Sequence, residues 1–248
     1  MEKDRNLHSY LDEYYLLPFE RQAEKYRRLA VIKELEQLQP QTLIEVGCGR
    51  DSIFHYLDPS IVGTIVEPIE KLSSGQDLGR RLPRIKVINS VFESVQSGMI
   101  EPAEVVLLSS ILHEVADAPL FIETASKFLR PDGALVLVEP NAWSLHRFVG
   151  ERKKIITHLE EQSDTQRKMQ QHQTVFSPES LTIFLETWGF EVETLKTFFP
   201  KVSSHSQMQQ FLNEKLIDDE FLETLYKLSD QLEPTGSEII AVARKKSG

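Results

Sequence analysis

The chain holds a single cysteine, Cys48, among its 248 residues. It can form no internal disulfide, and such sparing use of cysteine suits a reducing compartment. No apolar run approaches the roughly 18 residues that a membrane helix needs. The opening residues, M-E-K-D-R-N, are charged and offer no apolar core for a secretory signal. From these absences we expect a cytoplasmic protein with no membrane partner. Positive charge is also in deficit, with a net charge of −10. Proteins that grip duplex nucleic acid present a basic surface. The balance therefore argues against that partner and towards small molecules or proteins, although Arg152-Lys153-Lys154 marks one basic cluster. Metal-ligand spacing is missing too. No H-x-x-x-H or C-x-x-C occurs, and His146, His158 and His172 are spread too widely for a local cluster, so no metal is expected.

What is present is an ordinary globular composition, 40% hydrophobic and 27% charged, in a length that suits one α/β domain with additions. The organising stretch is Thr42 to Asp51, T-L-I-E-V-G-C-G-R-D. A short apolar run ends in Gly47-Cys48-Gly49, and a helical pattern follows. This reads as strand, tight loop, helix. Glycine has no Cβ, so such a loop can approach a ligand closely. Loops of this kind sit at the carboxyl ends of strands, where open α/β sheets bind nucleotide-like ligands. The dinucleotide fingerprint G-x-G-x-x-G would need Gly or Ala at position 52, where Ser52 stands.

Periodicity lays out the rest. Residues 19–39 have helical spacing and stop at Pro40. Short helices are expected over Ser52–Leu57 and Ile69–Leu82. Strands are expected over Ile61–Val66, Ile85–Ile88, Glu104–Leu108, Ala134–Val138, Phe190–Thr197 and Glu238–Arg244. Asp117 should cap a helix, Arg130-Pro131-Asp132-Gly133 should turn, and Ser177-Pro178 should open a helix that ends at Gly189. Polar, helix-prone residues fill 148–172, and two more helical patterns occupy 203–231.

Glu45 stands two residues before the first glycine, giving E-V-G-C-G, which resembles motif I of the class I S-adenosylmethionine-dependent methyltransferases. Phe128 to Glu139, F-L-R-P-D-G-A-L-V-L-V-E, is similar to the family's helix-turn-strand after motif IV. Leu112-His113-Glu114-Val115 resembles an L-H-x-V pattern of its small-molecule enzymes, and Pro140 to Arg147 resembles a P-N-x-x-S-L-H-R stretch of a subset. The likeness covers roughly 40 to 197 and the last strand. It implies a Rossmann-like, seven-stranded, mostly parallel sheet with helices on both faces and helical cap insertions. The whole of 1–248 would be one methyltransferase domain, with an N-terminal helical lid over 1–39 and helical caps over 141–175 and 200–232.

The resemblance also implies a cofactor, S-adenosylmethionine, and a set of contacts. Glu45, Gly47, Cys48 and Gly49 would form the loop against it. Glu67, followed by Pro68, would accept hydrogen bonds from the ribose hydroxyls. Ser90, Val91 and Phe92 would meet the adenine, with Ser90 standing where the family usually has Asp. Ser109 and Ser110, at the end of the fourth strand, would face the methyl group. Tyr14, Tyr15 or Tyr26 would lie near the cofactor if the N-terminal segment is a lid. The (Asp/Asn/Ser)-Pro-Pro-aromatic motif of methyltransferases acting on exocyclic amines is absent.

An acceptor hydroxyl is helped by a general base with a pKa near working pH. His113 is the first candidate and His146 the second, the latter alternatively binding substrate with Asn141 and Arg147. Either histidine could instead be structural. The expected reaction is methyl transfer to an oxygen or nitrogen of a small-molecule acceptor, with S-adenosylhomocysteine as product. A protein or peptide substrate and a non-catalytic S-adenosylmethionine-binding module are the alternatives. A nicotinamide oxidoreductase is weakened by Ser52 and by the absence of a Tyr-x-x-x-Lys pair. Nothing in the residues specifies an oligomeric state or names the acceptor.

Overall fold

The computed structural model describes residues 14–75, 84–168 and 173–246. Tyr10, His172 and the second half of the helix expected over 69–82 lie outside the described residues. Seven strands form one sheet: β1 (Thr42–Val46), β2 (Val62–Val66), β3 (Ile85–Ile88), β4 (Ala103–Ser109), β5 (Leu129–Pro140), β6 (Phe190–Phe198) and β7 (Glu238–Lys245). Their order is 3-2-1-4-5-7-6. β7 runs antiparallel to β5 and β6, and every other pairing is parallel. This is the Rossmann-like, mostly parallel sheet expected from the resemblance. The chain winds outwards from β1 in one direction and from β4 in the other, which opens a crevice at the carboxyl ends of those two strands.

The helices are α1 (Glu20–Leu38), α2 (Glu70–Gly75), α3 (Ala118–Lys127), α4 (Leu145–Arg152), α5 (Asp164–Lys168), α6 (Pro178–Thr187), α7 (His205–Asn213) and α8 (Asp219–Lys227). They cover both faces because both alternating sets of strand side chains are apolar. On β4, Val106 and Leu108 enter one core while Val105 and Leu107 enter the other. β5 divides in the same way, Leu135 and Leu137 against Val136 and Val138. Phe121 and Ile122 of α3, with Leu181 and Leu185 of α6, close the first core. Tyr26, Val31 and Leu35 of α1, with Met208 of α7 and Leu222 of α8, close the second. Each such buried large apolar side chain contributes on the order of 2 kcal/mol. The insertion over 200–232 is thus part of a core and not only a surface addition. No helix among the described residues is long and apolar enough to cross a membrane.

Local signals were accurate where the chemistry is self-contained. Asp117 accepts from the Leu120 N–H, and Ser177 caps α6 with Pro178 in its first turn. Gly189 follows at φ 85°. Differences arise where a distant group intervenes. The expected Ser52–Leu57 helix is a single 3-10 turn, Ile53–His55, because the Glu45 carboxylate takes the Ile53 N–H. The Arg130–Gly133 turn is absorbed into β5 as an irregularity: Leu129 faces Ala103, and the next pair is Ala134 with Val105. Residues 148–168 form the end of α4, turns and α5 rather than long helices. Buried Arg147 holds the turns by donating to the carbonyls of Leu159 and Glu161.

Gly63, within β2, measures how tightly the second core is packed. A Cβ there would stand 2.2 Å from the Leu43 carbonyl oxygen and 2.4 Å from Phe54 Cζ. Gly63→Ala should therefore cost about 1–3 kcal/mol, the usual penalty for overpacking, read as a lower urea midpoint at unchanged m-value. An unchanged midpoint would mean that β1 and β2 separate freely at this point.

Candidate active site

The carboxyl ends of the central strands open on a cavity of about 880 Å³, within the range of small-ligand sites. β1 stops at Val46, and Gly47 and Gly49 line the cavity at φ 75° and 52°. Those angles disfavour any residue with a Cβ. A Cβ on Gly47 would also press to 2.8 Å from Ile111 Cδ1, the far end of a side chain that lines the same cavity. At Gly49 a Cβ would lie 3.2 Å from the Tyr14 hydroxyl. Tyr14 therefore sits directly over the loop, held by its hydrogen bond to Glu24 at 2.6 Å. Of the candidate tyrosines, Tyr14 lines the cavity. Tyr26 is in the core, stacked on Phe199 with centroids 4.4 Å apart.

Three buried carboxylates close the strands around this loop. Glu45 accepts from the Ser52 hydroxyl and from the Ile53 N–H at 2.9 Å. Burial pushes its pKa up to about 7, against the opposing pull of those two donors. Glu67, at the end of β2, accepts from the Ile69 N–H at 2.9 Å and lies near the Cys48 thiol at 3.8 Å. Burial raises its pKa, and the backbone N–H groups of Ile69, Gly49 and Cys48 oppose the rise. Glu139, at the end of β5, accepts from the Leu112 and His113 N–H groups at 2.9 and 3.1 Å. It also meets His113 Nδ1 at 2.7 Å.

Not every sequence candidate reaches the large cavity. Gly47, Gly49, Glu67, Pro68, Val91, Phe92, Ser109, Ser110, His113 and His146 line it. Glu45 and Cys48 line an adjoining hollow of about 80 Å³, where Glu45 braces the following turn. Ser90 also stands off the wall, and its hydroxyl donates to the adjacent Val91 carbonyl at 3.1 Å. That bond takes the hydroxyl's one proton and leaves its oxygen able to accept. Phe92 serves the core as well, packing edge-on against Phe121 at 5.4 Å. Ser110 adopts φ 61°, a left-handed conformation uncommon outside glycine and frequent at functional sites.

His113 is buried, which works to lower its pKa, but the charge and hydrogen bond of Glu139, helped by Glu114, raise it overall. His146 is held well below the ordinary value, by burial first and then by the charges of Lys201, His205 and Arg147. Asn141, suggested as a substrate contact, spends its amide on the Pro234 and Gly236 carbonyls and the Trp143 N–H. It is a structural tie. Sequence reasoning missed Glu139, Arg27, Glu238 and Lys201, all close to or on the cavity wall. Glu139 carried a usable signal, since it closes the apolar run of β5 just as Glu67 closes that of β2. Among the described residues, no group of three or more His, Cys, Asp or Glu could hold a metal ion.

A profile of the methyltransferase domain matches residues 19–195. The chain belongs to this family. No curated protein matches its sequence significantly. Solved structures share the fold at low identity. The plantazolicin methyltransferase BamL, in complex with a triazolic desmethylPZN analog and S-adenosylhomocysteine, is 16% identical over 96% of this chain and 91% of its own, with a TM-score of 0.61. A 1,6-didemethyltoxoflavin-N1-methyltransferase of Burkholderia thailandensis is 12% identical over 100% and 92%, with the same TM-score, 0.61. The N-methyltransferase NodS of Bradyrhizobium japonicum is 13% identical over 90% and 97%, at 0.56. The methyltransferase described here has the class I, S-adenosylmethionine-dependent architecture.

The brace beneath the loop of this methyltransferase is testable through pH. The folded-state pKa of Glu45, about 7, lies above its ordinary value of 4.5. Its contribution to stability is therefore complete below the lower value and lost as pH rises through the upper. Between the two, stability should fall more steeply in the native protein than in Glu45→Gln, by on the order of 3 kcal/mol. Chemical denaturation across that range measures it, and parallel slopes would mean that Glu45 stays ionised.

Proposed function

We propose that this methyltransferase carries the methyl group of S-adenosylmethionine to an oxygen or nitrogen of a small-molecule acceptor, leaving S-adenosylhomocysteine. The observation that carries the acceptor chemistry is the pair formed by Glu139 and His113. A buried carboxylate 2.7 Å from Nδ1 holds a proton on that nitrogen and leaves Nε2 as the acceptor. His113 lines the cavity beside Glu114, whose oxygen is 3.9 Å from Nε2. A cavity-lining histidine oriented in this way supports catalysis over a purely binding module.

The residues fit the cofactor. The positive-φ glycines leave a backbone cradle that a Cβ would fill, and Glu67 lies at the end of β2 on the same cavity. Gly47 and Gly49 would allow close approach, Glu67 would take the ribose hydroxyls in competition with the loop amides, and Val91 with Phe92 would flank the base. Ser109 and Ser110 would border the transfer position. Bound there, S-adenosylmethionine supplies a methyl group already activated on a sulfonium, so alignment and exclusion of water are the protein's main tasks. Tyr14 covers the loop from the N-terminal side and serves as part of the lid. His113 Nε2 takes the proton that an acceptor hydroxyl or amine must lose. His146, with its depressed pKa, stays neutral and contributes polarity to the wall rather than charge. The size of the cavity favours a small acceptor over a folded protein.

Calorimetric titration should find saturable binding of S-adenosylmethionine and S-adenosylhomocysteine, and its absence would sink the cofactor assignment. Glu67→Ala should weaken that binding by about 1.5–3 kcal/mol, the range for hydrogen bonds to a charged group. NMR titration of the imidazole in the S-adenosylhomocysteine complex should find His113 above the ordinary histidine value, and Glu139→Gln should move it down by removing the adjacent charge. Because the base works only when neutral, turnover should rise with pH through the His113 pKa, and the same substitution should shift that rise to lower pH. His113→Gln should lower turnover by about 10²-fold or more with cofactor affinity retained. A His113 pKa that ignores Glu139→Gln would remove the pair from the mechanism.

A further inference from the structure

One part of the cavity wall holds a buried ammonium. Lys201 follows β6 in the run F-F-P-K-V. It is only 4% exposed, yet it lines the cavity. Among the described residues, no carboxylate comes within ion-pair distance of its ammonium. The acids that bear on it are Glu238 and Glu20, and both are committed to Arg27. Glu238 takes Arg27 Nε and Nη2 at 2.8 Å each, and Glu20 takes Nη1 at 3.2 Å. Burial brings the Lys201 pKa down to about 7, with Glu238 and Glu20 opposing and Arg147 and Arg27 adding to the fall. An unpaired buried ammonium is costly, and proteins seldom keep one without a partner.

Besides those two acids, further cations and donors stand near it. Arg147, on α4, is buried and bonded to carbonyls and to Gln166; among the described residues no carboxylate comes within ion-pair distance of it, and Glu161 is the acid that bears on its charge. His146, beside it, has a buried Nδ1 with no hydrogen-bond partner. α7 starts at the same wall. Its cap, Ser204, accepts from the Gln207 N–H, while the His205 and Ser206 N–H groups have no partner among the described residues. Ser204, His205 and Ser206 all line the cavity. A helix start presents partial positive charge and unsatisfied donors, both suited to an anion.

We infer that this wall is a recognition subsite for an anionic group, a carboxylate or a phosphate monoester, carried by the methyl acceptor. Lys201 pairs with the anion, the first-turn N–H groups of α7 and neutral His146 donate to it, and Arg147 supplies the field. The inference rests on the reading of the cavity as the acceptor site. It deepens that reading by naming the acceptor's chemical class: a molecule with a methylatable oxygen or nitrogen at one end and a negative charge within reach of Lys201.

Benzoate, phenyl phosphate and uncharged benzamide, titrated by calorimetry into the full-length protein saturated with S-adenosylhomocysteine, test it. Saturable binding of either anion but not of benzamide is expected, and the stronger anion identifies the carboxylate or the phosphate. Lys201→Met should weaken that binding at least about tenfold, a change of about 1.4 kcal/mol. It should also leave S-adenosylhomocysteine affinity intact. Lys201→Arg should retain anion binding. Equal binding of benzamide, undiminished anion binding in Lys201→Met, or no anion binding at tens of millimolar would each overturn the subsite. Failure of the wild type to bind S-adenosylhomocysteine would overturn the parent reading instead, so the two failures are distinct.

Discussion

A carboxylate taken out of water must be met by donors, and this constraint shapes the carboxyl edge of the sheet. Glu45, Glu67 and Glu139 end or nearly end β1, β2 and β5, and each is at most 4% exposed. Leaving any of them unmet would cost several kcal/mol. The loops bend to supply N–H groups: Ser52 and Ile53 to Glu45, Ile69 and the glycine loop to Glu67, Leu112 and His113 to Glu139. The acids are therefore the posts on which the cavity's loops are hung. The irregular backbone at Gly47, Gly49 and Ser110 follows from the paths those loops must take.

The same constraint links architecture to chemistry. Glu139 spends one oxygen on the backbone of the turn after β4 and shares the other between the His113 N–H and its imidazole. The residue that fixes the turn thereby also fixes the tautomer of the histidine on it. Elsewhere on the wall, Arg27 bonds both Glu238 and Glu20 across α1 and β7, and Lys201 has no ion-pair partner among the described residues. The cavity wall thus carries both a carboxylate–histidine pair and a buried ammonium.

The insertion between β6 and β7 gains meaning in this setting. α7 and α8 bury Met208 and Leu222 against the face that also holds Tyr26 of α1. That packing fixes the start of α7 at the cavity. An added segment in the hairpin position thereby supplies part of the cavity wall, which depends on core packing as much as on loops.

By itself the sequence determined the sheet, its strands and most helix caps, because alternation, proline and glycine act over a few residues. Gly47, Gly49, Glu67 and His113, which line the cavity, were legible for the same reason, since each stands at a strand end within a short motif. Only the tertiary structure decided that Glu45 and Ser90 stand off the large cavity, that Glu139 is the partner of His113, and that Lys201 faces it with no ion-pair partner among the described residues. The last two depend on which groups meet across long stretches of chain, 26 residues for His113 with Glu139 and 211 for Arg27 with Glu238. Local periodicity carries no information about such pairings, and burial assigns the cost of each only once the chain has folded around it.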